Sequence, residues 1–275
     1  MKKSRAEKRA TNISSASGAD GVAAAAVAGS ALYEFRMQIR RKAVWVVLAL
    51  FSLWALTGNN NPWDFPPAAS LTDVVVTWAG VVQLFMPIAL GCMIADRLPR
   101  DRRTGVSELL DTLPASPGGR LVGKYLGATL ATTVPVFILY AAGIAYVVVD
   151  RGEWLAVPLA LAAFAAVNIP GLLFVGAFSV ACPTLLRVPL YQFLFVGYWF
   201  WGNALNPDSP IPTLSGTWLT PAGGYMSSGF FGVPGIYISQ AEPWEGVVSI
   251  ALLLGLAAMA LLTAHYYLHW RKSRR

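Results

Sequence analysis

From Leu155 to Leu186 the chain runs for 32 residues without one charged side chain. Four similar runs are Val74 to Ala95 (22 residues), Tyr125 to Val149 (25), Val188 to Leu205 (18) and Val247 to Leu268 (22). A bilayer core about 30 Å thick needs roughly 20 apolar residues of helix, so each run is read as a membrane span. A further run, Ala43 to Gly58, has only 16 residues. It is expected to reach the required length by starting a turn earlier, around Ile39. The 32-residue run is too long for one straight helix, and Pro158, Pro170 and Pro183 are read as its start, a kink and its end. Membrane helices tolerate proline where neighbours satisfy the freed carbonyls. The expected fold is therefore an all-α integral membrane protein with six transmembrane helices, at about 43–58, 74–95, 125–149, 155–182, 188–205 and 247–268. Composition agrees: 56% of residues are hydrophobic and 13% charged, against about 45–50% and 25% in soluble domains. Disorder and a disulfide scaffold are excluded, since Cys92 and Cys182, the two cysteines, both lie inside apolar runs.

Basic residues set the orientation. Segments 1–42, 96–124, Arg187 and 271–275 share one side on this count, and they hold 20 of the 21 Lys and Arg residues. The exception is Arg151. Acidic residues divide evenly, so the asymmetry belongs to the cations. Both termini are expected in the cytoplasm, in a multi-pass protein of the plasma membrane, with the basic flanks against anionic lipid. That placement removes a nucleic-acid reading of the net charge of +7.

Residues 1–27 are read as a disordered basic tail and not a cleaved signal, because polar residues and Asp20 separate the basic stretch from the alanine run. In 28–42, Ala28, Leu32, Phe35 and Ile39 recur at helical spacing among Glu34, Arg36, Gln38, Arg40 and Arg41. This segment is expected to be an amphipathic helix in the interface, serving as a snorkelling anchor or as a docking element for a cytoplasmic partner. Residues 43–270 form the six-span domain and 271–275 a second basic tail. In the loop from Asp96 to Lys124, Val106, Leu109, Leu110 and Leu113 make one apolar stripe, with Glu108 and Asp111 opposite. Pro114 ends that helix, and Pro117-Gly118-Gly119 turns the chain back.

The run ADRLPRDRRTGVSELLDTLPASPGGRLVGKYLGA resembles the corresponding loop of type-2 ATP-binding-cassette (ABC) exporter permeases. The matching elements are Asp101-Arg102-Arg103-Thr104-Gly105, Glu108-Leu109-Leu110, Leu113-Pro114-Ala115-Ser116 and Gly123-Lys124. Topology and the amphipathic leading helix extend the resemblance over nearly the whole chain. It implies a coupling helix that receives movement from separate ATPase chains. Asp101, Arg102, Arg103, Glu108, Leu109, Leu110, Asp111 and Leu113 would make that contact, with Glu34, Arg36 and Arg40 on the leading helix. Gly118 to Lys124 also fits the start of a phosphate-binding loop, but Tyr125 stands where a Ser or Thr would hold magnesium. ATP and Mg are accordingly expected on a partner ATPase, with no cofactor and no enzymatic activity on this chain.

Asn206 to Pro243 is rich in proline and glycine yet threaded with Trp218, Tyr225, Phe230, Phe231 and Tyr237. It is read as a structured outer cap or, as the resemblance implies, a re-entrant hairpin before the sixth span. His265 and His269, at i and i+4, lack a nearby carboxylate or cysteine to complete a metal site. With Tyr266, Tyr267 and Trp270 they read as an interfacial aromatic belt. No charged residue falls at mid-span, which weighs against an ion-coupled transporter. The span amides Gln83, Asn168, Gln192 and Asn203 are expected to face protein or water, because an unpaired amide in hydrocarbon costs several kcal/mol. They either bond between helices or line a substrate path.

The reading is the permease subunit of an ATP-driven exporter for an amphipathic or apolar substrate. Its partners would be two ABC ATPase subunits, a second permease copy or sister permease, and membrane lipids. The competing reading is a non-transporting membrane anchor or assembly subunit. A neighbouring gene for a Walker-motif ATPase favours the first.

Overall fold

The computed structural model describes residues 24–57, 61–97 and 117–274. Among these residues the chain is all-helical, apart from an isolated bridge between Gly235 and Ile238. The leading helix α1 covers 24–39. It is followed by α2 (Lys42–Thr57), α3 (Leu71–Ile94), α4 (Pro117–Arg151), α5 (Ala156–Ala163) and α6 (Ile169–Ala181). Then come α7 (Val188–Asn203), the short α8 (Gly224–Phe231) and α9 (Pro243–Ser273). Helix α1 begins earlier than the expected residue 28.

Among the described residues, four helical stretches are long and apolar enough to cross a membrane: Leu71–Ile94, Gly118–Arg151, Ala156–Thr184 and Pro243–Arg271. The other two expected spans, α2 and α7, have 16 residues each, or about 24 Å of helix. The expected backward extension of the first span to Ile39 does not occur. A turn at Arg40 and Arg41 separates α1 from α2, and the Arg41 amide bonds to the Gln38 carbonyl at 3.0 Å. The third stretch is interrupted by a π turn, Phe164–Asn168. Pro170, two residues after the turn, has no N–H to give, so the preceding carbonyls widen their spacing. Pro158 lies in the first turn of α5, and Pro183 in a closing 3₁₀ turn at Cys182–Thr184.

The core gathers around α3, whose Val75, Trp78, Val82, Met86 and Leu90 are buried. Trp78 Nε1 donates to the Tyr140 carbonyl of α4 at 3.1 Å, and Tyr140 Oη donates back to the Val75 carbonyl at 3.2 Å. Pro87 removes an N–H from α3, and Trp199 of α7 donates to the nearby Leu84 carbonyl at 2.6 Å. The outside is apolar instead. Leu130, Phe193, Met259 and Leu262 are all more than half exposed, while Gln83, Asn168 and Asn203 are at most 1% exposed. A bundle in water would invert that pattern.

At the end of α3 that begins with Leu71, Ser70 caps the helix by accepting from the Asp73 amide at 3.0 Å. Arg151, the exception to the basic asymmetry, donates to the Ala69 and Pro66 carbonyls at 2.8 and 3.1 Å. It fastens the 61–70 segment, a local task that accounts for a lone cation there.

Candidate functional site

Helix α1 lies against the first turns of α4 because two glycines let it. A Cβ on Gly123 would stand 2.8 Å from the Val27 carbonyl oxygen, and one on Gly127 would stand 2.3 Å from the Ala31 oxygen. Small residues four apart allow such backbone approach between membrane helices. The contact buries Glu34, which is 3% exposed and pairs with Lys124 of α4 and with Arg97 just after α3. Arg97 Nη1 stands 3.7 Å from the carboxylate, and both cations are buried. Gln38, one turn on, is fully buried, and its amide atoms have no hydrogen-bond partner among the described residues.

The inward face of α1 therefore differs from the expected apolar stripe. Ala28 and Leu32 point outward, whereas Glu34 and Gln38 point in. A carboxylate is tolerated there because two cations meet it. Glu34, expected at a docking surface, is interior; Arg36 and Arg40 are exposed. The sequence did hold a signal, since Gly123-Lys124 and Gly127 place a cation and two gaps on one face of α4. Asp101, Arg102, Arg103, Glu108, Leu109, Leu110, Asp111 and Leu113 lie outside the described residues. Their segment departs after Arg97 and returns at Pro117, so one carboxylate on α1 is paired on both sides of it.

The four amides separate into three settings. Gln83 Nε2 donates to the Pro221 carbonyl at 3.1 Å. Asn168 Nδ2, in the π turn, donates to the Ala79 carbonyl at 3.1 Å and to Gln83 Oε1 at 3.3 Å. Gln192 Nε2 caps the Cys92 carbonyl at 2.9 Å, and Asn203 Nδ2 bonds within its own helix to Trp199 at 2.9 Å. Gln83, Asn168 and Gln192 thus bond between elements. Gln83 sits about 18 Å along α3 from Leu71, so the backbone at Pro221 reaches halfway down that helix. Gly171 and Gly223 leave it room: a Cβ on Gly171 would stand 2.4 Å from the Pro221 oxygen, and one on Gly223 2.5 Å from Val167.

Around Pro221 the 206–243 segment is pinned by side chain to backbone bonds. Tyr237 Oη donates to the Ala204 carbonyl at 2.7 Å, Trp201 Nε1 to Pro212 at 2.8 Å, and Ser249 Oγ to Trp218 at 2.8 Å. Tyr237 holds a left-handed φ of 61°, uncommon for a residue with a Cβ. Tyr225 donates to the Gly216 carbonyl at 3.0 Å. Burial first, and the Glu245 carboxylate second, push its phenol above the ordinary value. Beneath this segment is a cavity of about 350 Å³, lined among others by Trp54, Thr77, Gly80, Phe85, Asn203 and Ile236. Sequence reasoning marked Asn203 but missed the rest, which come from four separate stretches of chain.

At the far end of α9, His265 packs over Gly118 at the start of α4, 3.0 Å from where a Cβ would be. The His265 and His269 rings are 6.5 Å apart, and Arg274 lies 4.3 Å over Trp270. Among the described residues no group of three or more His, Cys, Asp or Glu side chains could hold a metal ion. Gly118 to Lys124 is helical throughout. Neither a family model nor a curated protein matches the chain.

Proposed function

We propose that the chain is the membrane-spanning permease subunit of an ABC exporter whose ATPase chains are separate. The sequence of 95–128 supports this by its resemblance to the coupling loop of such permeases. The observation that carries it is the pairing of Glu34 with Arg97 and Lys124. A push on the 98–116 segment then displaces α1, α3 and α4 together, because a buried carboxylate cannot let go of its cations cheaply. ATP binding on the partner chains supplies that push, and two six-span subunits switch a shared lumen between inward and outward access. Both termini are cytoplasmic in this reading, following the basic residues.

Two finer points belong to the same proposal. Helices α2 and α7 count as the first and fifth spans, α7 being continued by the 206–243 segment. The 206–243 segment is a re-entrant hairpin, supported by the bond from Gln83 to Pro221 halfway along α3. Irregular backbone at that depth is allowed where protein surrounds it.

The test is isolation of the full chain from its native membranes, followed by identification of the chains that accompany it. A Walker-motif ATPase at equal stoichiometry, with ATP hydrolysis lost in Glu108→Lys, is the expected result. Co-purification with a stable complex lacking any ATPase would replace the exporter with a membrane anchor.

A further inference from the structure

The cavity beneath the 206–243 segment is walled by Trp54 of α2, by α3, by the turn at Thr220–Ala222 and by the stretch 233–236. The volume, about 350 Å³, falls within the range of ligand pockets, about 300–1,000 Å³. None of the 16 described residues lining it is charged. Trp54 and Ile236 are 42% and 44% exposed, so apolar side chains of the lining also reach the protein surface. A Cβ on Gly80 would meet nothing within 4 Å, which leaves the α3 wall open to an occupant. Asn203 supplies a polar feature. It is 1% exposed, its Nδ2 is committed to Trp199, and its Oδ1 receives no hydrogen bond among the described residues. A buried amide oxygen is unfavourable until a donor reaches it.

We propose that this cavity binds one uncharged amphiphile drawn from the surrounding membrane. Its apolar body lies against Trp54, Phe85 and Ile236, and its hydroxyl or amide N–H donates to Asn203 Oδ1. Charged headgroups are rejected, because the wall offers no opposite charge to offset their desolvation. In the exporter reading this is the class of cargo, and that assignment alone rests on the reading.

The experiment uses the full chain in detergent and a long-chain alcohol carrying a photoactivatable diazirine, with the linked peptides mapped by mass spectrometry. Labelling should concentrate in 76–85 and 220–236. Gly80→Leu fills the open wall and should reduce it about tenfold, whereas Gly255→Leu, at a glycine of α9 that also faces open space, should leave it unchanged. The methyl ether of the unlabelled alcohol, having no donor, should compete about tenfold less well than the alcohol itself. Even labelling over the outward faces of α9, equal labelling in both leucine variants, or equal competition by a quaternary ammonium of the same chain would overturn the proposal. Mapping on the unaltered chain decides the case even if Gly80→Leu fails to fold. Labelling of the cavity in a complex without an ATPase would keep the site and remove only its role as a cargo site.

Discussion

Glu34 is the residue on which the inner half of the structure turns. Removing one partner of a buried pair leaves an uncompensated charge, at about 3–5 kcal/mol. Glu34→Gln keeps the side-chain size but removes the carboxylate that Lys124 and Arg97 share. Its unfolding midpoint in detergent should fall well below that of the parent, and Glu34→Lys combined with Lys124→Glu should recover part of the loss. An unchanged midpoint in Glu34→Gln would mean that the pair contributes nothing. Gln83 offers a second test, since it bonds to Pro221 and to Asn168 at once. Gln83→Leu takes the donor from the Pro221 carbonyl, at about 1–3 kcal/mol for a buried unsatisfied group, and leaves Asn168 Nδ2 with its bond to the Ala79 carbonyl alone. It should lower the amount of folded protein in the membrane; altered substrate choice at a normal level would make Gln83 part of a path instead. That these amides avoid lipid was legible in the sequence, because hydrocarbon offers them no partner. Their particular partners were not, since Gln83 and Pro221 are 138 positions apart and no local pattern links them.

At the scale of elements, close approach through glycine decides which helices touch. A Cβ on Gly127 would stand 2.3 Å from the backbone oxygen of Ala31, and backbone cannot swing aside as a side chain can. Gly127→Val should therefore lift α1 away from α4, at about 1–3 kcal/mol, and raise hydrogen exchange in 27–38. Gly29→Ala is the control, because a Cβ there meets nothing within 4 Å. The four helices long and apolar enough to cross a membrane were readable from uncharged runs, since only a helix satisfies its own backbone in hydrocarbon. The break at Arg40 and Arg41 was not foreseen because apolar spacing continues across it, from Phe35 and Ile39 into Val44. Proline marked the kink in the 156–184 stretch, but nothing in the sequence announced a π turn before it. The outer segment was the least legible element, as its glycines, prolines and aromatics follow neither helical nor strand periodicity.

For the whole molecule, the 20-to-1 division of basic residues fixes which faces should meet which solvent. With Cys92 and Cys182 replaced, single cysteines in Leu110→Cys and Ile211→Cys should show opposite accessibility to an impermeant thiol reagent in sealed cells. Ile211 is the better outer probe, being 56% exposed, whereas Thr220 is buried at 5%. Equal labelling would overturn the topology. The second prediction joins this topology to the buried pair. In the exporter reading a cytoplasmic 98–116 segment would offer Glu108 and Asp111 to a partner, while Glu34 pairs with residues on both sides of that segment. Reversal of Glu108 acts at the partner's surface, so Glu108→Lys should leave the unfolding midpoint unchanged yet abolish partner-dependent ATP hydrolysis. Glu34→Gln acts within the fold, so it should lower the midpoint and weaken coupling together. If Glu108→Lys retains full ATP-driven export, the contact lies elsewhere, and the exposed Arg36 and Arg40 of α1 become the positions to reverse next. A stable Glu108→Lys chain whose partner complex hydrolyses no ATP, beside an unstable Glu34→Gln chain, would separate the surface that receives the push from the pair that transmits it.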